Sequence, residues 1–336
     1  MTRIADAGLT IVAEVAQGYR ADWAKELALV DLAAAAGADA IKFQLLHGGE
    51  LLTADHPLCG HVESLELAPE RWADVADRAA SEGIALFVDV FGRRGLEIAA
   101  EVGSAAVKVH ASDMLNEPLL REIATSPVPR VLLSAGGAEA GEIEEAAALL
   151  PGKQLTLILG FQAYPTTIED NALRRLSGLH ALLPETELGF ADHTAQEDPV
   201  ALWLPGLAVA LGATYVEKHL TMAQVLQDPD HQSALDPDRF AGFVANMRAA
   251  EAALGSSSTR ADEMSEAEAA YRLGMKRHVV AADDLKGGTR LEPEHLALMR
   301  APEPPADVLL RLDDALGRVL DGDAPKDSPL GESRLR

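Results

Sequence analysis

The chain has 336 residues, 48% of them hydrophobic and 24% charged, enough apolar material for one large core and a small second one. Its 53 acidic against 29 basic residues leave a formal charge of −24 at pH 7, which disfavours a nucleic-acid partner because phosphate is repelled over most of such a surface. The single cysteine, Cys59, excludes an intramolecular disulfide and a thiolate metal site. No apolar run approaches the roughly 18 residues of a membrane span, and the opening MTRIADAGLTIVAE lacks the apolar core of a signal segment, so the expectation is a soluble cytoplasmic protein without a membrane partner.

In chain order, short runs rich in Val, Ile, Leu and Phe alternate with longer amphipathic, Ala-rich stretches, the pattern of repeated βα units around a parallel sheet. Strands are expected at Thr10–Val15, Ala40–Gln44, Ile84–Val88, Ala106–Val109, Arg130–Ser134, Thr156–Phe161, Glu187–Phe190 and Thr214–Glu217. Helices are expected between and after them, at Asp22–Ala36, Pro69–Ser81, Arg93–Glu101, Asn116–Ala124, Ala140–Leu150, Thr167–Leu183, Glu197–Leu211 and Pro237–Leu254. Start and stop signals support several: Asp236 as N-cap ahead of Pro237, and Gly37 closing the first helix. Eight such units within residues 1–255 have the size of a (β/α)8 TIM barrel. An open doubly wound sheet is the alternative, and it loses its main support because no G-x-G-x-x-G follows the first strand. Residues 256–276, rich in Ser, Glu and Ala, read as a linker with a short helix. Residues 277–336 read as short β-like pieces broken by Gly, Pro and Asp, a small β-rich module that needs a partner surface to be stable.

A barrel keeps its chemistry where strands end, so polar residues there form one set. It comprises Glu14, Lys42, Gln44, Asp89, Lys108, Ser134, Gln162, Tyr164, Asp192, His193, Glu217, Lys218 and His219. A lone Lys or His at such a place is most simply a snorkelling cation or a hydrogen-bonded rim residue. Convergence of polar groups from eight strand ends on one mouth is costly unless they bind something. His193 and His219, on neighbouring strands, can reach one point and share a divalent ion, leaving coordination positions open in a way that suits Mg²⁺ or Mn²⁺. Lys42 and Lys108 are then the cations for a phosphate or carboxylate.

The stretches AEVA, GADAIKFQ, KVHASD, LLSAGG, YPT, GFADHT, GATYVEKHLT and DPDHQSAL occur in an order and at spacings that resemble the sialic acid synthase family, the bacterial nonulosonate synthases, and the trailing module resembles their SAF, or antifreeze-like, domain. The resemblance implies condensation of phosphoenolpyruvate with the open-chain aldehyde of an N-acylated amino sugar, forming a 2-keto acid and releasing phosphate. It implies that His193 and His219 bind the metal with Glu217 beside it, and that Glu14 handles protons. Lys42, Lys108, Ser134 and Gln162 would hold phosphoenolpyruvate, and Gln44, Tyr164 and Asp230 would face the sugar. Arg300, in LALMRAP, would reach that sugar from the other subunit of a domain-swapped homodimer.

The chain departs from the family pattern around the anion cradle. GYRA, Gly18 to Ala21, replaces Asn-His-Asn-Gly; Asp89, Ala111 and Ala191 stand where the family carries hydroxyls; and Gln162 replaces an Asn or Ser. An ionised Asp89 beside a phosphate is costly unless compensated, and the expectation is that Arg20 or Arg93 pairs with it. Two further readings remain: a barrel lyase or aldolase using a different three-carbon donor, and a non-catalytic carbohydrate-binding relative.

Overall fold

The computed structural model describes residues 8–161, 163–255 and 263–336. The chain divides into two compact units, Met1–Gly255 and Ser256–Arg336.

The first unit is a closed barrel of eight strands, each hydrogen-bonded to the next and the eighth to the first. The strands are β1 (Thr10–Ala16), β2 (Ala40–Leu45), β3 (Ala85–Val90), β4 (Ala106–Val109), β5 (Arg130–Ser134), β6 (Gln154–Leu159), β7 (Glu187–Asp192) and β8 (Ala213–His219). All neighbouring pairs are parallel, so each strand is recovered through a helical return. The outer layer contains α1 (Trp23–Ala35), the short α2 (Gly48–Leu51) and α3 (Cys59–Glu63), then α4 (Pro69–Ser81), α5 (Arg93–Glu101), α6 (Glu117–Thr125), α7 (Ala140–Ala148), α8 (Arg175–Leu182), α9 (Leu204–Ala210) and α10 (Pro237–Leu254). The sequence signals act as expected at α10, where the Asp236 side chain accepts from the Arg239 N–H (3.0 Å), and at Gly37, whose φ of +86° lets the chain turn from α1 into β2.

Two expected helices are broken. Thr167–Leu183 becomes a 3₁₀ turn at Glu169–Asn171 followed by α8, because Ala172 takes a left-handed conformation (φ +43°) between them. Glu197–Leu211 becomes a 3₁₀ turn at Pro199–Leu202 and then α9; Pro205 has no N–H to continue a helix and sits in the first turn of a new one.

The strand periodicity of two decides what enters the barrel. Val12, Ala40, Phe87, Ala106 and Tyr215 pack in one inner cluster, and two residues further along the same face come Glu14, Lys42, Asp89, Lys108 and Glu217. An apolar plug therefore lies beneath a charged layer. Strand register places Glu14 beside Lys42 and His219, and Asp89 beside Gln44 and Lys108. Away from this mouth, a hollow of about 700 Å³ opens at the strands' N-terminal ends, lined by apolar residues such as Ile84, Ala105, Pro127 and Val128.

The second unit holds α11 (Glu266–Met275) and an antiparallel pair, β9 (His278–Ala281) and β10 (Leu296–Met299), with isolated bridges tying the rest together. Its own apolar cluster includes Val279, Leu291, Leu320 and Leu330. Part of the expected linker, residues 256–262, lies outside the described residues. No described helix is long and apolar enough to cross a membrane.

Candidate active site

At the C-terminal mouth of the barrel a narrow cavity is lined by Glu14, Gln44, Asp89, Lys108, His110, Tyr164, His193, Glu217 and His219. Its floor is an ion network. Lys42, fully buried on β2, donates through Nζ to Asp89 Oδ1 (2.6 Å), contacts Glu14, and lies 3.5 Å from Glu217 Oε1. Lys108 donates to the same Glu217 oxygen (2.9 Å) and stands 3.8 Å from Asp89 Oδ2. From beneath, the Tyr215 hydroxyl donates to Glu217 Oε2 (2.6 Å). Three carboxyl groups thus share two ammonium groups in a space almost closed to water.

Such crowding pulls the two glutamates apart. Burial pushes the Glu14 carboxyl up to about 8, with neighbouring Glu217 and Asp89 adding to the shift and Lys42 only partly offsetting it. Burial acts on Glu217 too, but Lys108, Lys42 and the Tyr215 hydroxyl outweigh it and hold that carboxyl well below its usual range. The two environments thus push in opposite directions, Glu14 toward its protonated form and Glu217 toward its ionised one, the kind of division that acid–base chemistry uses. Glu14 is also anchored, its Oε1 accepting from the Ala16 N–H (2.6 Å).

Above the network, the His193 and His219 rings lie 5.3 Å apart, and Tyr164 meets both edge-on at 4.8 and 5.5 Å. His193 Nδ1 lies 3.0 Å from the Phe161 carbonyl oxygen, to which it donates, so its Nε2 keeps a free lone pair. Burial lowers His193 to about 4 and His219 well below its ordinary value, which keeps both rings neutral. Paired neutral imidazoles with one tautomer fixed are a donor set that fits a divalent cation. Among the described residues no group of three or more His, Cys, Asp or Glu is arranged to hold a metal by itself.

The other expected residues fall as follows. Gln44, the penultimate residue of β2, lies at the cavity, half-buried and 3.4 Å from the Gln17 amide. Ser134 ends β5 two residues beyond inward-facing Leu132, buried, but outside the cavity lining. Asp230 has a left-handed backbone (φ +61°), and burial raises its carboxyl to about 6. Arg300 belongs to the second unit, exposed, with Nε donating to the Met275 carbonyl (3.1 Å). Gln162 lies outside the described residues.

Two expectations need correction. Neither Arg20 nor Arg93 pairs with Asp89: Arg20 binds Asp228 (3.0 Å) from the rim, and Arg93 binds Glu97 (2.8 Å) on its own helix. Asp89 falls inside β3 rather than in the loop after it, and an inward side chain there meets lysines of the neighbouring strands. For the same reason Lys42 and Lys108 are not free cations but already paired ones. Lys218, next to Glu217, points to the opposite face of β8 and binds Asp192 (2.7 Å).

Sequence reasoning missed Tyr215 and His110. Tyr215 reads as one more apolar strand residue, and only its position two before Glu217 hints that both share a face. His110 lies just after β4 at the cavity, its Nδ1 2.9 Å from the Ser112 hydroxyl and 3.2 Å from the Ser112 N–H.

Fold and site together show a closed parallel barrel in which carboxyl, lysine and imidazole groups converge on one mouth. The NeuB family profile matches residues 29–259, and a SAF domain profile matches residues 276–336. The chain belongs to the NeuB family. It is 28% identical over 313 residues to the N,N'-diacetyllegionaminic acid synthase of Legionella pneumophila, covering 86% of this chain and 85% of that one. An uncharacterized protein of Methanocaldococcus jannaschii is 30% identical over 293 residues, with 86% of this chain and 84% of the relative covered. The crystal structure of an N-acetylneuraminic acid synthetase from Leptospira borgpetersenii in complex with citrate superposes with a TM-score of 0.71 at 27% identity, over 80% of this chain and 92% of that one.

Proposed function

We propose that this enzyme joins phosphoenolpyruvate to the open-chain aldehyde of an N-acylated amino sugar, of the N-acetylmannosamine type, giving a nonulosonic 2-keto acid and inorganic phosphate. The observation that carries the reading is the convergence of Glu14, Glu217, the Lys42–Lys108 pair and the His193–His219 pair at the mouth of a NeuB-family barrel. The reaction forms a bond from C3 of phosphoenolpyruvate to the aldehyde carbon, adds water at C2, and breaks the C2–O bond, the proton of the added hydroxyl passing to the departing phosphate as the 2-keto group forms. Glu14 gives its proton to the oxygen that was the aldehyde's, and as a carboxylate then takes one from the water that adds at C2. Glu217 remains ionised throughout and holds Lys108 and Tyr215 in place. Lys42, Lys108, Ser134 and Gln162 hold the donor, and Gln44, Tyr164 and Asp230 face the sugar.

His193 and His219 would hold a divalent cation, Mn²⁺ or Mg²⁺, which supplies polarisation of the aldehyde oxygen. The enzyme works as a homodimer in which Arg300 of a second copy reaches the sugar. A specific observation favours a competing reading, a three-carbon donor without phosphate: both lysines already carry a carboxylate from Asp89. Incubation with Mn²⁺, a panel of amino sugars and either phosphoenolpyruvate or pyruvate separates the two. Phosphate and a 2-keto acid formed together support the synthase; a 2-keto acid formed from pyruvate without phosphate supports the other donor.

A further inference from the structure

The charge layer of the barrel is closed upon itself. Asp89 is 1% exposed and engages Lys42 at 2.6 Å through one oxygen and Lys108 at 3.8 Å through the other, while Glu217 takes the opposite side of both lysines. The nearest cations that sequence suggested as compensation are committed elsewhere, Arg20 to Asp228 and Arg93 to Glu97. A phosphate arriving at Lys42 and Lys108 therefore meets a carboxylate fixed on the same strand layer, which competes from an effective concentration no free anion matches. It also meets that carboxylate's charge at close range in a poorly screened cavity.

We propose that Asp89 is the specificity-determining residue of the anion cradle: it is a built-in counter-anion of the lysine pair, and a phosphate-bearing donor binds only by displacing it. The inference deepens the synthase reading and rests on it for the identity of the donor. Two consequences follow from charge alone. Asp89 weakens binding of a dianionic phosphate more than that of a singly charged carboxylate. It also adds to the pairing that Glu14 gives Lys42 and Glu217 gives Lys108 when no donor is bound.

The test is calorimetric titration of the full-length protein, and of Asp89→Asn and Asp89→Thr, with phosphoenolpyruvate, inorganic phosphate and pyruvate, with the melting temperature of each protein measured alongside. Both substitutions are expected to tighten phosphoenolpyruvate and inorganic phosphate by about tenfold or more, the scale of one charge-assisted contact, and to change pyruvate affinity less. Should Asp89→Asn not fold, Asp89→Thr, which keeps a hydroxyl beside Lys42, carries the comparison. Unchanged or weaker phosphate binding in a folded variant overturns the inference, since Asp89 would then be needed to hold the lysines for the anion. Absence of phosphate and phosphoenolpyruvate binding in all three proteins overturns it equally. Turnover keeps this apart from the wider reading. Tighter phosphate binding with no 2-keto acid from any protein sustains the counter-anion and rejects the synthase; turnover by the wild type without tightening does the reverse.

Discussion

Glu14 and Glu217 are the same residue type on adjacent strands, and their environments assign them opposite roles. Glu14→Gln mimics the protonated form that burial favours at this position, so it should leave the melting temperature nearly unchanged while lowering turnover by about 10²–10⁴. Glu217→Gln removes the ionised partner of Lys108 and should cost on the order of 3 kcal/mol of stability in denaturant titration. A third glutamate, Glu26 on α1, lies outside the site. It is fully buried, both its carboxylate oxygens lack a hydrogen-bond partner among the described residues, and burial, with Asp22 adding, raises it to about 8. Between about pH 4.5 and 8 the folded Glu26 keeps a proton that the unfolded chain has lost, so this group's contribution favours folding below that window and fades as pH rises through it. Glu26→Gln should therefore stabilise increasingly from pH 5 to pH 8, by at most about 1.4 kcal/mol per pH unit, as read from urea unfolding at each pH. Sequence could nominate Glu14, Lys42 and Lys108 because each sits at a strand end. It could not pair them, since the partners Lys108 and Glu217 stand 109 positions apart and meet only when the barrel closes.

Strands were more legible than the helices that return between them. A strand announces itself by a short apolar run, and all eight were readable, with ends differing by a few residues. One of those differences mattered: β3 runs on to Val90, which turns Asp89 from a loop residue into an inward-facing one. The helices before β7 and β8 read as continuous because their composition is helical throughout, whereas a left-handed Ala172 and the missing N–H of Pro205 are local events that periodicity averages away. The packing of strand ends was not legible at all. A Cβ on Gly136 would land on the Gly160 carbonyl oxygen, and one on Gly160 would lie 2.9 Å from the Ala191 carbonyl oxygen, so the segments following β5 and β6 close against neighbouring backbone only because these positions carry no side chain. Gly136→Ala should cost about 1–3 kcal/mol, seen as a lower urea midpoint, because rigid backbone rather than a flexible side chain must yield. An unchanged midpoint would mean that the two strand ends are free to separate.

Across the whole molecule, the strongly acidic chain sets the buried lysine pair Lys42 and Lys108 at one mouth, and a second unit with its own core follows the barrel. If Arg300 acts on the sugar of a second copy, mixing Arg300→Ala with His219→Ala subunits should restore part of the activity that each lacks alone, because one mixed site then has both groups intact. No recovery in a mixture shown to exchange subunits would place Arg300 outside the site. On the proposed reading, the charged mouth adds water at C2 of phosphoenolpyruvate after carbon–carbon bond formation and expels phosphate with its bridging oxygen. The most direct measurement of this is the mass of the phosphate released from phosphoenolpyruvate carrying ¹⁸O at that bridge, in the presence of the protein, Mn²⁺ and an accepting amino sugar. Phosphate that retains the label, formed together with the 2-keto acid, is the expected result; unlabelled phosphate, or a 2-keto acid formed with no phosphate at all, would contradict it.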